Sequence, residues 1–383
     1  MSSDTPLMDT YARAPVTFAG GRGCLLYDDA GAEYLDCLGG LAVVSAGHSH
    51  DRVTAAIAEQ AATLVHTSNI YWTRPMQDLA CRLHEVTGWG KVFFSNSGAE
   101  ANECAIKLAR KWAGPGRYKV VCAEGAFHGR TLATLAATGQ PAKWAGFEPL
   151  PEGFVHAPFN DIDAFASLVD AETAAIMVEP IQGENGVIPA ERDFLTGLRS
   201  LADDADVLLV FDEVQTGVGR TGRFWAHQHY GVVPDVVTVA KALANGIPIG
   251  ATIASESAAV FAPGDHGSTF GGGPVACAAA LATLEVLVDG GYVDDVARKS
   301  ALLTAKLAGL PHVREVRGVG LLLAAVLDVP EAAAVTTAAL ANGLVVNPVA
   351  PDAVRFAPPL VIGDEQIADA AQLFALAIDE VIT

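Results

Sequence analysis

Apolar residues fall into short unbroken runs through the middle of the chain and into helix-spaced sets around them. Residues 23–38 read as a hairpin turning at Asp28-Asp29-Ala30-Gly31, with Tyr34 to Leu38 as its second arm. From Asp51 onward Val53, Ile57, Ala61 and Leu64 recur at helical spacing. The middle alternates apolar runs (Lys91 to Phe94, Lys119 to Cys122, Ala175 to Val178, Val207 to Phe211, Val236 to Val239) with helical patterns and loops. Runs that are continuous rather than alternating indicate strands covered on both faces. They predict an α/β fold whose mostly parallel sheet is flanked by helices. A helical pattern from Pro274 to Val288 stops at Gly290-Gly291. Beyond it a strand (Leu321 to Leu327), a helix (Glu331 to Leu340), strands near Val345 and Val354 and a last helix (Asp364 to Val381) suggest a smaller α/β unit. The expected division is an N-terminal segment, 1–50, packing with the small domain, a large domain, 51–275, and a small C-terminal domain, 276–383.

Composition narrows the picture. At roughly 150 residues per domain, 383 residues suit two or three domains, or one large one with an appendage. Half the residues are hydrophobic and 18% are charged, which excludes global disorder. A net charge of -20 repels phosphate backbones and anionic lipid heads, so neither nucleic acid nor a membrane surface is an expected partner. The six cysteines form no CxxC pair and read as buried thiols in a reducing compartment, not as disulfides or metal ligands. Met1 to Asp9 is polar and unlike a signal peptide. No apolar run approaches the ~18 residues that span a bilayer. The expectation is a soluble cytoplasmic protein.

Ligands of open α/β sheets bind beyond the carboxyl ends of the strands, so chemistry is sought just after each run. After Phe94 comes Ser95-Asn96-Ser97-Gly98-Ala99-Glu100, where Ser97 and Glu100 fit a capping box opening a helix from Ala99 to Lys111. Its free N–H groups, with Gly98 allowing close approach, suit a phosphate, although most such starts are ordinary caps. Asp212 and Glu213 end a buried run. Asp212 reads as a metal ligand, a partner for a heterocycle's ring nitrogen, or a solvated strand end. The metal reading requires a GxxxxGK[ST] loop upstream, which the chain lacks. Lys241 follows another run among small apolar residues, so it either snorkels to solvent or sits desolvated as a nucleophilic amine. Together a phosphate cradle, an acid and a desolvated amine are what pyridoxal 5'-phosphate requires. The pairs His48/His50 and His227/His229 lack acids or cysteines at zinc spacing and read as structural.

These segments, in this order, resemble those of class III, fold-type I aminotransferases, and within that family the acetylornithine group most. The resemblance runs from Tyr11-Ala12-Arg13 through Ser95–Glu100, Phe127-His128-Gly129-Arg130-Thr131, Glu179-Pro180-Ile181-Gln182-Gly183-Glu184, Phe211–Gly222, Lys241 and His266–Gly272 to Arg355–Leu360. It implies that Lys241 carries pyridoxal phosphate covalently and then shuttles a proton. Asp212 would keep the pyridine nitrogen protonated, Gln215 would bond the phenolic oxygen, and Val214 and Phe127 would sandwich the ring. Gly98 and Ala99 would hold the phosphate, with Thr269 reaching it from the other subunit of a homodimer. Arg130 and Arg355 would clamp substrate carboxylates, Glu184 covering Arg355 for one of the two substrates. Ser268 and Tyr11 would complete the substrate site. The implied reaction is transamination of N-acetylornithine with 2-oxoglutarate, the reverse of the direction that serves arginine biosynthesis.

Ornithine-specific members of the family place tyrosine where this chain has Leu41, and an aliphatic residue suits an acylated, uncharged α-nitrogen. Two departures stand out: Gly273 where relatives carry Asn, and Asn185 where they carry a small residue. Competing readings are another ω-aminotransferase (ornithine, succinylornithine or 4-aminobutyrate), an aminomutase of the glutamate-1-semialdehyde type, and a nucleotide protein without pyridoxal phosphate built on the Asp212 strand.

Overall fold

The computed structural model describes residues 6–382; the first five residues of the polar N-terminal stretch, and residue 383, lie outside them. A central seven-stranded sheet runs in the order Lys91–Ser95, Gly250–Ala254, Val236–Val239, Leu208–Asp212, Thr173–Val178, Lys119–Ala123, Phe154–Ala157. Pairings along the last five strands are parallel, whereas Gly250–Ala254 runs antiparallel to both its neighbours. All five apolar runs read from the sequence are strands of this sheet.

Every residue of Thr173–Val178, Leu208–Asp212 and Val236–Val239 is buried, as continuous apolarity requires. Alternate side chains serve opposite faces. Ile176 and Phe211 pack with Phe165, Phe194 and Leu198 on one side. Met177 and Val210 pack with Ala105 and Leu108 of the Gly98–Ala113 helix on the other. Full burial of a side chain such as Phe211 contributes about 2–3 kcal/mol.

At the N-terminus Phe18–Arg22, Leu25–Asp28 and Glu33–Asp36 form a meander whose last strand pairs in parallel with Leu344–Val345. A second four-stranded sheet holds Val313–Val319, Leu322–Leu327, Ala353–Phe356 and Asn347–Ala350. The helix Tyr292–Ala308 departs from the sequence reading, which took Gly290-Gly291 as a stop. Gly291, at φ 76°, turns the chain sharply at that point, and a new helix starts directly behind it. Among the described residues no single helix is long and apolar enough to cross a membrane.

One buried cation ties distant stretches together. The Arg220 guanidinium, wholly removed from solvent, donates to the carbonyl oxygens of Leu321 (3.0 Å) and Pro358 and to Ser45 Oγ (2.9 Å). Burial lowers its pKa to about 9, partly opposed by the charge of Asp36.

Candidate active site

The carboxyl ends of the strands open onto a cavity of about 370 Å³. Strand register decides what reaches it. Asp212 lies opposite Thr238, three residues before Lys241, and Phe211 lies opposite Val178, one residue before Glu179. The reversed strand brings Ile247, Pro248 and Ile249 to the same rim from its amino end.

Lys241 adopts a left-handed backbone (φ 41°) at the start of a single 3-10 turn, Lys241–Ala244. Such strain costs about 1–3 kcal/mol and persists where its surroundings enforce it. Asn245, also left-handed, closes the turn. Its side chain accepts from Ala46 N (2.8 Å) and donates to Gly47 O (2.9 Å), pinning the loop to the N-terminal segment. Lys241 lines the cavity, and burial pulls its amine below the ordinary lysine pKa. The carboxylates of Glu184, Asp212 and Glu179 oppose that drop, and Arg355 adds to it. Of the two fates open to this lysine, the structure takes the desolvated one.

Asp212 is held from all sides. Its Oδ1 accepts from Val214 N (3.0 Å), and its Oδ2 meets Asn102 Nδ2 (2.7 Å) and His128 Nδ1 (2.8 Å). Asn102 is itself fixed by Thr238 Oγ1 (2.7 Å) and donates to His128 O (2.7 Å). Burial alone would depress the His128 pKa; the hydrogen bond and charge of Asp212, helped by Glu179, raise it overall. Neighbouring Glu213 faces the other way and accepts from Thr216 Oγ1, Ala226 N, His227 N and His227 Nδ1 at 2.7–2.9 Å. It anchors the chain behind the strand, so of the two adjacent acids only Asp212 faces the cavity, which Glu179 and Glu184 also line. Glu179, 5% exposed, accepts from Phe127 N at 2.9 Å. Burial pushes its pKa up to about 8, with His128 and Lys241 opposing and Asp212 adding.

The phosphate end differs from the expected capping box in one arm. Ser97 Oγ accepts from Glu100 N (3.2 Å), but the Glu100 carboxylate turns to the backbone and side-chain amides of Asn96 instead of Ser97 N. The N–H groups of Gly98 and Ala99 lie in the first turn of the Gly98–Ala113 helix, where no intrahelical acceptor exists and the helix dipole is positive. A Cβ on Gly98 would stand 2.7 Å from a Val214 methyl, so glycine keeps the space between cradle and wall open. Phe127 and Val214 both line the cavity. An amine, a carboxylate, a positive helix end and two apolar walls around one cavity match the aldehyde, ring nitrogen, phosphate and ring faces of pyridoxal phosphate.

Arg355 is fully buried and clasped. It donates to Glu184 Oε1 (2.6 Å), Gly183 O (3.0 Å) and Gln215 Oε1 (3.3 Å) through one nitrogen and to Asn347 Oδ1 (3.1 Å) through another. Its third nitrogen is buried without a hydrogen-bond partner among the described residues. Burial would raise the Glu184 pKa; Arg355 and Lys241 outweigh it and lower it. Gln215 Nε2 donates to Glu184 (3.2 Å), so both ends of the amide expected at the phenolic oxygen are engaged with the Glu184–Arg355 pair. Arg130 is exposed at the cavity wall, its guanidinium 5.7 Å from the Phe127 ring.

Three expected site residues are absent from the lining of this cavity, Ser268 beside its rim at Asn96. Tyr11 is 72% exposed. Ser268 bonds Asn96 Nδ2 (3.2 Å) and Gly271 N (2.9 Å), and Thr269 is exposed beside it. The histidine pairs have structural partners: His48 bonds Asp36, His50 caps the Asp51–Thr63 helix, His227 bonds Glu213 and His229 bonds Thr221. Sequence reasoning assigned no role to His128, Asn102 or Glu179. The signal for Asn102 was an amide on the buried face of an alanine-rich helix.

Comparison with known proteins places the chain in a family. The model of the aminotransferase class-III family matches residues 9–378. The acetylornithine aminotransferase of Methanothermobacter thermautotrophicus is 48% identical over 98% of this chain and 96% of its own. The crystal structure of N-acetylornithine aminotransferase from Stenotrophomonas maltophilia superposes with a TM-score of 0.85 at 37% identity, covering 97% of this chain and 98% of that one. An ornithine aminotransferase from Toxoplasma gondii, with partial occupancy of PLP at its active site, reaches 0.93 at 35% identity, covering 98% and 92%. On this likeness and on the site that carries it, the chain belongs to the class-III aminotransferase family and is a pyridoxal-phosphate-dependent enzyme.

Proposed function

We propose that this enzyme transfers the δ-amino group of N-acetylornithine to 2-oxoglutarate, giving N-acetylglutamate 5-semialdehyde and glutamate, a step that arginine biosynthesis runs in reverse. The observation that carries the reading is the Arg355–Glu184 contact at 2.6 Å beside a cavity lined by Lys241 and Asp212. A cation covered by a movable acid accepts a carboxylate in one half-reaction and is masked in the other. One pocket can then take an amine end with no carboxylate beside it and, in turn, the α-carboxylate of glutamate.

Pyridoxal phosphate, when bound, supplies an aldehyde for amines to condense with and a ring that accepts electrons from the substrate carbon. The remaining work falls to this chain. Lys241 presents a desolvated amine that acts as nucleophile and then holds or releases a proton at Nζ. Asp212, locked by His128 and Asn102, offers a carboxylate to the ring nitrogen. Gly98 and Ala99 would orient the phosphate, and Phe127 and Val214 would exclude water from the ring faces. Gln215 lines the cavity and is bonded to both members of the Glu184–Arg355 pair, so it would link substrate exchange with the phenolic oxygen of the bound group. Arg130 takes the far carboxylate of either substrate.

The active unit in this reading is a cytoplasmic homodimer. Ser268, Thr269 and Tyr11 stand outside the cavity of their own chain, in keeping with service to a second copy. Ile70, Tyr71, Trp72 and Phe270 are exposed and offer apolar surface for it.

Leu41, 42% exposed and not among the residues lining the cavity, supports the acylated substrate through the family resemblance, since an aliphatic side chain offers an ammonium group nothing to bond. Acetylornithine, succinylornithine, ornithine and 4-aminobutyrate, each offered with 2-oxoglutarate, decide the matter. The highest kcat/KM is expected for acetylornithine, and a preference for free ornithine would overturn the substrate while leaving the chemistry in place.

A further inference from the structure

The Phe127 ring, part of the cavity wall, has two cations against it. Arg130 Cζ lies 5.7 Å from its centroid and Lys143 Nζ 5.9 Å. Neither side chain has a carboxylate partner among the described residues. Arg355, the other cavity-side arginine, is by contrast covered by Glu184 at 2.6 Å.

Lys143 is also held in place. It closes the short turn Pro141–Lys143, its backbone N–H donating to Gln140 O (2.9 Å). The Gln140 side chain donates to Gly125 O (2.9 Å), close to Phe127 along the chain. On the other flank Trp144 Nε1 donates to Thr138 O (2.8 Å), and the Trp144 ring lies 5.4 Å from that of His156. Lys143 itself is half-buried. Arg130 lines the cavity and Lys143 stands outside its lining, but both lie against the ring of Phe127, a cavity wall. They put two unneutralised positive charges beside the cavity in a protein whose net charge of -20 repels dianions.

We infer that Lys143 is a second carboxylate-recognising residue of the substrate site, acting with Arg130 on the substrate end remote from the reacting carbon. The inference rests on the transaminase reading and adds to it a specificity for substrates with a distal carboxylate. Arg130 supplies the planar fork; Lys143 supplies a point charge that holds the same carboxylate and draws the dianion towards the mouth.

The test uses holoenzyme and glutarate, an unreactive five-carbon dicarboxylate, with calorimetric Kd as the first readout. Lys143→Met is expected to weaken glutarate about fivefold and to lower the salt dependence of its binding, the size of a half-exposed ion pair. Lys143→Arg restores the affinity to within about twofold, because charge is what matters. In turnover, Lys143→Met raises the KM for 2-oxoglutarate by a similar factor with a much smaller change in kcat. Thermal unfolding of each variant shows whether the turn has survived. An unchanged glutarate Kd in Lys143→Met overturns the inference, and so does an equal loss in Lys143→Met and Lys143→Arg, which marks a packing role. A failure of acetylornithine in the substrate panel leaves the glutarate measurement standing, so the two readings fail separately.

Discussion

Nδ1 of His128 and Oδ2 of Asp212 lie 2.8 Å apart, and neither side chain is more than 4% open to solvent. The contact couples folding to pH. Burial by itself would lower the His128 pKa, but Asp212 and Glu179 raise it above 6.5. A raised folded-state value gives stability that is complete below pH about 6.5 and lost as pH climbs through the higher value, about 1.4 kcal/mol for each unit of the rise. Urea unfolding at a series of pH values should therefore show stability falling above that point. His128→Asn, which keeps a donor to Asp212 but never gains charge, should flatten the slope; an unaltered slope would remove His128 as its source.

Lys241→Ala should lower turnover by at least about 10³-fold if, as proposed, one group serves as both nucleophile and base. Pyridoxal phosphate should still bind through the helix end and the apolar walls. Borohydride, which fixes the cofactor to the wild-type chain, should leave it removable by denaturation in the variant. Covalent fixation persisting in Lys241→Ala would show that another lysine does the work.

Gly98→Ala should weaken cofactor binding by roughly tenfold or more, because the added methyl meets Val214 at 2.7 Å and the wall must shift by a distance that close packing resists. Combining it with Val214→Ala removes the obstructing methyls, and the double variant should bind the cofactor about as well as Val214→Ala alone, which has lost one ring wall. A double variant weaker than Val214→Ala alone would point to backbone damage in the helix start.

Glu184→Gln removes the charge that covers Arg355 at 2.6 Å. The KM for glutamate is expected to fall and that for acetylornithine to rise, each by about fivefold, as for a partly exposed ion pair. Both KM values moving in the same direction would contradict a cover that serves only one substrate.

Much of this was legible in the sequence for a physical reason. Strands buried on both faces are written as unbroken apolar runs, and Leu208–Asp212 could be found from that alone. The strand Gly250–Ala254 was not, because its glycine, alanines and threonine lack the bulk that marks a strand, and its burial comes from the neighbours on either side. Lys241 and Asp212 stood out as charges at the ends of apolar runs. The partners of Asp212 did not: His128 and Asn102 lie 84 and 110 residues away, and only the folded sheet and helix bring them together. The capping motif misled in one arm since a local pattern cannot tell that Asn96 offers Glu100 two amides at once.

The reversed strand gives the site an unusual economy of chain. The segment that departs with Lys241 returns at once to the same rim as Ile247–Ile249, so the lysine proposed to anchor the cofactor and one part of the cavity lining belong to a single short piece of backbone. Asn245 nails the middle of that piece to Ala46 and Gly47. Reshaping the lining at Pro248 thus offers an engineer a way to admit bulkier amines without disturbing the lysine, because the nail stands between them.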